Sequence, residues 1–107
     1  MPELFRALGA VDLVVVPAAF TETTGRAHWE LLLRARAVEN QCYVLAAAQG
    51  GTHACGRVTH GNSMIVDPWG EVLGRIDKGE GVVIAELDTA RIAEVRGNLP
   101  ALKHRKL

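Results

Sequence analysis

Asp12-Leu13-Val14-Val15-Val16-Pro17 and Cys42-Tyr43-Val44-Leu45-Ala46-Ala47-Ala48-Gln49 are the two stretches on which the fold turns. Neither alternates with polar residues, so each offers apolar side chains to both faces of a pleated strand. Strands of that kind belong inside a sheet that is covered above and below. Between them, over residues 26–40, Trp29, Leu32, Leu33 and Ala37 recur at helical spacing. Glu30 and Arg34 stand one turn apart in the order that favours a surface pair. Thr24 or Gly25 is placed to cap the start of that helix. Strand, helix, strand in this order is a βαβ unit.

The flanks extend the pattern in both directions. Residues 2–9, Pro-Glu-Leu-Phe-Arg-Ala-Leu-Gly, read as the end of a helix with Gly9 as its C-cap. Residues 17–25 form the loop after the first strand, and residues 50–61 a polar, glycine-rich loop after the second. Residues 63–66 are a short strand. Asp67-Pro68-Trp69-Gly70 is a turn, with Trp69 as the anchor of the hairpin and residues 71–76 as the returning strand. Residues 81–87 read as a further strand. Asp88 is the N-cap of a last helix, Ile92 and Val95 mark its inner face, and Gly97 and Pro100 end it.

The sequence of elements is that of an α/β protein. One full-length helix and one short helix can hardly cover both faces of two such strands. An uncovered face forgoes roughly 25 cal/mol for each Å2 of apolar surface left in water. The chain therefore reads as part of a larger core.

Composition narrows the class. At 107 residues there is room for one small domain, residues 1–107. Lys plus Arg and Asp plus Glu are each 12, for a formal net charge of zero, which argues against a nucleic-acid or anionic-membrane binder. The basic run Lys103-His104-Arg105-Lys106 reads as a solvated tail. Two cysteines, Cys42 and Cys55, do not make a disulfide framework. With no secretory signal and no long apolar span, the expected setting is cytoplasmic.

Several longer motifs carry a resemblance. These are Pro17-Ala18-Ala19-Phe20, then Thr24-Gly25-Arg26-Ala27-His28-Trp29-Glu30, then Arg34-Ala35-Arg36-Ala37-Val38-Glu39-Asn40-Gln41-Cys42-Tyr43-Val44. With Gly61-Asn62-Ser63-Met64-Ile65-Val66-Asp67-Pro68-Trp69-Gly70-Glu71-Val72, Leu99-Pro100 and His104-Arg105, they resemble the nitrilase superfamily over essentially the whole chain. The similarity is greatest to its Nit-type amidases. The resemblance implies the C-terminal part of an α-β-β-α sandwich, incomplete without its N-terminal half, in a family that pairs sandwich to sandwich as homodimers or higher oligomers. It also implies hydrolysis of a small-molecule amide by a Glu general base, a Lys that stabilises the tetrahedral intermediate and a Cys nucleophile. It implies no cofactor and no metal.

None of those three catalytic residues is expected in this chain. The family's Cys sits just upstream of a segment like Pro2-Glu3-Leu4, and its Glu and Lys come earlier still. The start inside a structural element suggests a truncated or mis-started reading frame.

Among the residues present, Cys42 begins a buried apolar strand, where thiols are inert, and reads as core. Cys55 lies in a glycine-rich loop with His53 and His60 nearby, but this spacing lacks the paired ligands of zinc sites. Glu39 reads as a structural ion pair with Arg34 or Arg36. Trp29 reads as core and His28 as a helix-start contact. Ala18, Phe20 and Thr21 are the substrate-binding candidates. They follow the C-terminal end of a buried strand, where α/β sheets place ligands. In the resembling enzymes this loop borders the substrate: Ala18 leaves room and Phe20 gives an apolar wall.

Overall fold

Tyr43 donates its backbone N–H to the carbonyl of Asp12 at 2.9 Å, and this bond sets the phase of the central strand pair. Strand β1 (Leu13–Ala18) and strand β2 (Tyr43–Ala48) run parallel, with Leu13 opposite Tyr43 and Ala18 opposite Ala48. The alternation of a parallel ladder then turns the peptide groups of Val14, Val16 and Ala18 toward β2. Those of Leu13, Val15 and Pro17 face the outer edge. Pro17 has no N–H to give, and at its place in the ladder β2 asks for none. The strand therefore continues to Ala18, past the point where the sequence suggests that it stops.

The computed structural model describes residues 2–18, 20–48, 50–52, 58–76, 81–100 and 102. Helix α1 (Pro2–Ala7) precedes β1, helix α2 (Glu22–Asn40) links β1 to β2, and helix α3 (Thr89–Asn98) closes the described chain. Strands β3 (Gly50–Thr52) and β4 (Val58–His60) form a small antiparallel sheet of their own. Strands β5 (Ser63–Val66) and β6 (Val72–Ile76) complete the main sheet in the order β1-β2-β5-β6.

Helix α2 seals one face of this sheet. Gly25, Trp29, Leu33 and Ala37, four residues apart, form its buried stripe. Trp29, Leu33 and Ala37 pack on Val44, Ala46, Met64 and Val66, with Val16, Ala18, Phe20, Ala48 and Val72 at the margin. The helix starts at Glu22, four residues before the expected Arg26, with Thr21 as N-cap in extended conformation and no side-chain cap bond. Gly25 closes the first turn by donating to the Thr21 carbonyl at 2.8 Å, so Thr24 and Gly25 lie inside the helix and do not cap it. The first turn, Glu22-Thr23-Thr24-Gly25, has no large apolar residue to reveal its periodicity. His28 is consequently in the second turn and exposed, not a helix-start contact.

At the other end Gln41 takes the left-handed conformation, φ 51°, and the backbone N–H groups of Gln41 and Cys42 return to Val38 and Ala37. That turn delivers the chain into β2. Gly9 likewise ends α1 with a positive φ of 76° and a bond to the Arg6 carbonyl, as its sequence suggests.

The turn between β5 and β6 is anchored by Asp67. Its Oδ1 accepts the backbone N–H groups of Trp69 and Glu71, each at 2.9 Å, and its Oδ2 lies 3.5 Å from Arg91 Nε of α3. Asp67 is buried, whereas the expected anchor, Trp69, is 58% exposed. A carboxylate satisfies two backbone donors at once, and the indole has no such task here. The expected pair of Glu30 with Arg34 is also not formed. Glu30 pairs with Arg75 of β6, and Arg34 donates to the Gly70 carbonyl at 2.8 Å. A register shift at Ile65/Val66 brings Arg75 to the α2 side of the sheet. Glu39 pairs with Arg36 at 2.8 Å, as expected.

Two further differences concern the second half. The stretch 50–61, read as a loop, contains the β3–β4 hairpin, whose residues 53–57 lie outside those described. His53 and Cys55 fall there. The stretch 81–87, read as a strand, has no strand partner among the described residues. Its Val83 lies against Gly74 of β6, while Val82 and Ile84 are more than four-fifths exposed. Asp88 does cap α3, accepting the Ala90 N–H at 2.9 Å, and Ile92 and Val95 are buried as expected.

Arg96 of α3 ties distant parts of the chain together. It donates to the carbonyls of Gln41 at 3.1 Å and Val11 at 2.8 Å, and its Nη1 lies 3.9 Å from Asp12.

Candidate functional site

The C-terminal end of β1 is where a strand buried in an α/β sheet hands the chain to a loop, and loops at such ends carry ligand contacts. Ala18 is the last residue of β1 and packs at the margin of the α2 core. Phe20 is half-buried, with its ring 5.0 Å from that of Trp29 at an interplanar angle of 53°. A tilted aromatic pair at this separation adds to what burial alone contributes. Thr21 is exposed, its Oγ1 2.7 Å from Thr24 Oγ1.

The β3–β4 hairpin comes alongside this loop, which the sequence reading did not foresee. His60 donates its backbone N–H to the Phe20 carbonyl at 2.8 Å, and Thr21 forms an antiparallel bridge with Thr59. The His60 side chain packs on the first turn of α2: a Cβ on Gly25 would lie 2.3 Å from His60 Cβ. Its Nδ1 is buried without a hydrogen bond, 3.7 Å from Glu22 Oε1. A glycine in the first turn of a helix that contains no other was the one signal in the sequence. Gly is costly in a helix, and close approach of another segment is the usual reason to keep it.

Cys42 has the opposite environment from a nucleophile. It is fully buried, and burial pushes its thiol up from 9.0 to about 11, with Arg96 pulling it down and Asp12 adding to the rise. A thiol so raised supplies almost no thiolate near neutral pH. Among the described residues no three His, Cys, Asp or Glu side chains gather where a metal ion could be held. What the loop offers is a shape: small Ala18, the Phe20 ring braced by Trp29, and the exposed Thr21 hydroxyl, held to a hairpin on one side and a helix on the other.

The carbon–nitrogen hydrolase family model matches residues 1–97. This chain belongs to that family. Its relatives include the deaminated glutathione amidase of Synechocystis sp., 50% identical over 97% of this chain and 39% of that protein. The human deaminated glutathione amidase is 48% identical over 98% of this chain and 33% of its own length. Among solved structures, the C. elegans NitFhit protein superposes with a TM-score of 0.91 at 48% identity, over 99% of this chain and 26% of that one. Saccharomyces cerevisiae Nit3, of branch 10 of the nitrilase superfamily, gives 0.90 at 35% identity, over 100% of this chain and 40% of that one.

The chain thus has the expected α/β fold, of the Nit-type kind, and spans about two fifths or less of the length of these relatives. Among its described residues no helix is long and apolar enough to cross a membrane.

Proposed function

We propose that residues 1–107 are one partial domain, the C-terminal part of a cytoplasmic amidase that hydrolyses a linear amide of a small carboxylic acid. In the complete site a Cys thiolate attacks the amide carbon, ammonia leaves, and water releases the acid from the thioester. A Glu moves the protons and a Lys holds the oxyanion charge. Those three residues come from outside this chain. Ala18, Phe20 and Thr21 border the substrate, Phe20 as an apolar wall. The observation that carries the reading is the built loop at the end of β1, with Phe20 braced by Trp29 at 5.0 Å, while the thiol of Cys42, at the other end of the strand pair, is too buried to serve as the nucleophile. Deaminated glutathione and related ω-amides are the substrates to try first, given the relatives' names.

A second reading is a non-catalytic member of the family that dimerises or binds a partner. It is favoured by Leu31, Val38 and Trp69, which are exposed along one side of α2. Ammonia release separates the two. The purified 107-residue chain should hydrolyse neither glutamine-like nor deaminated-glutathione-like amides above background. Supplying the preceding part of the fold should produce turnover. No turnover from that assembly favours the second reading. Turnover by the chain alone that survives both Cys42→Ala and Cys55→Ser overturns the first.

A further inference from the structure

Four residues close a circuit of contacts around the candidate loop. The Phe20 ring packs on the Trp29 ring with centroids 5.0 Å apart. Trp29 Nε1 donates to the Asn62 carbonyl at 2.7 Å. Asn62 Nδ2 donates to the His60 carbonyl at 2.9 Å. The backbone N–H of His60 returns to the Phe20 carbonyl at 2.8 Å. Phe20 is thereby held at its ring through Trp29 and at its main chain through His60, and both holds lead to Asn62.

We infer that Asn62 is a positioning residue of the amidase, acting through Phe20. This rests on the reading of Phe20 as the substrate wall. Asn62 has a φ of 59°, a conformation that Asn tolerates better than most side chains. In that conformation its carbonyl meets the indole of Trp29, which is 2% exposed and needs an acceptor. Its amide meanwhile reaches back over one residue to His60, and only the NH2 end can donate to a carbonyl. His60 cannot drift toward α2, because its Cβ already fills the notch above Gly25. The position of the wall is therefore set by Asn62 through Trp29 and His60.

The test uses the complete hydrolase, with this chain as its C-terminal part. Asn62→Gly keeps the left-handed backbone and removes only the donor to His60. Asn62→Asp keeps the shape but sets a carboxylate against the His60 carbonyl. Loss of a hydrogen bond of this kind corresponds to a change in binding of roughly threefold to tenfold. Asn62→Gly should raise KM by about threefold and Asn62→Asp by about tenfold, with kcat within about twofold of the parent. Combined with Phe20→Ala, either change should add little to what Phe20→Ala does alone.

If Asn62→Asp does not fold, Asn62→Gly carries the comparison by itself. KM unchanged in Asn62→Gly while Phe20→Ala raises it overturns the inference and leaves the wall intact. Full additivity of the two changes, or an equal fall in kcat, overturns it too. An unchanged KM in Phe20→Ala overturns the wall, and the inference with it.

Discussion

The two faces of the main sheet have similar sequences and opposite surroundings. On one, Val14, Val44, Ala46, Met64 and Val66 are buried, most of them under Trp29, Leu33 and Ala37. On the other, Val15 is 57% exposed, Ala47 is exposed, and a hollow of about 310 Å3 opens over Leu45, Ser63, Ile65 and Ile76, roofed in part by Val82 and Val83. The strand residues of both faces are mostly apolar. The side chains therefore do not distinguish the faces; the supply of covering elements does. An exposed apolar face of this kind is a place where something else packs.

The contrast can be broken most forcefully at Trp29. Trp29→Ala removes the centre of the sealed face together with the indole bond to Asn62, and should cost about 3–5 kcal/mol of stability, read as a lowered denaturant midpoint. A loss below about 1 kcal/mol would mean that α2 does not seal the sheet in solution.

The next effect comes from Cys42, also fully buried. Its thiol is raised from 9.0 to about 11 in the folded chain, so the folded state holds the proton more tightly than the unfolded one. That contribution is fully present below pH 9.0 and is lost as pH rises toward about 11. It amounts to about 1.4 kcal/mol for each pH unit across that window. The difference in stability between the parent and Cys42→Ala should therefore shift against the parent from pH 9 to pH 11, roughly by this slope. A difference that stays flat would show the thiol to be solvated.

The smallest stability effect is expected on the open face. Val15→Lys should change stability by less than about 0.5 kcal/mol, as surface substitutions do. The same change should reduce self-association and binding of a hydrophobic dye by the 107-residue chain, measured by size-exclusion chromatography and fluorescence, because a charge on an exposed edge strand opposes pairing between chains. A monodisperse, dye-free parent would remove the contrast between the faces altogether.

How far the sequence announces this structure differs by region for physical reasons. The β1 and β2 strands, the turn at Asp67 and the cap at Asp88 are written in local chemistry: unbroken apolar runs, an Asx side chain before a Pro, a carboxylate before a helix. The first turn of α2 is not, because Glu22-Thr23-Thr24-Gly25 has no apolar phase and owes its place to the Thr21–Gly25 bond. The β3–β4 pair is made of three-residue strands, Gly-Gly-Thr and Val-Thr-His, too short to carry an alternation to read. Residues 81–87 have the composition of a strand but pair with none of the described strands, and a strand is a relation between two segments. The same holds for the site. Ala18, Phe20 and Thr21 follow from their place after a buried strand. His60 and Asn62 reach them from about 40 residues away, through a close approach that Gly25 alone hints at.

Arg96 sets an order in time as well as in space. During synthesis the Val11 and Gln41 carbonyls leave the ribosome long before the guanidinium that pairs them, at sequence separations of 85 and 55 residues. Until α3 arrives, the junction that starts both central strands keeps unpaired acceptors. Loop closure over such spans is entropically slow to repay. The βαβ unit therefore gains these two bonds only once α3 has docked.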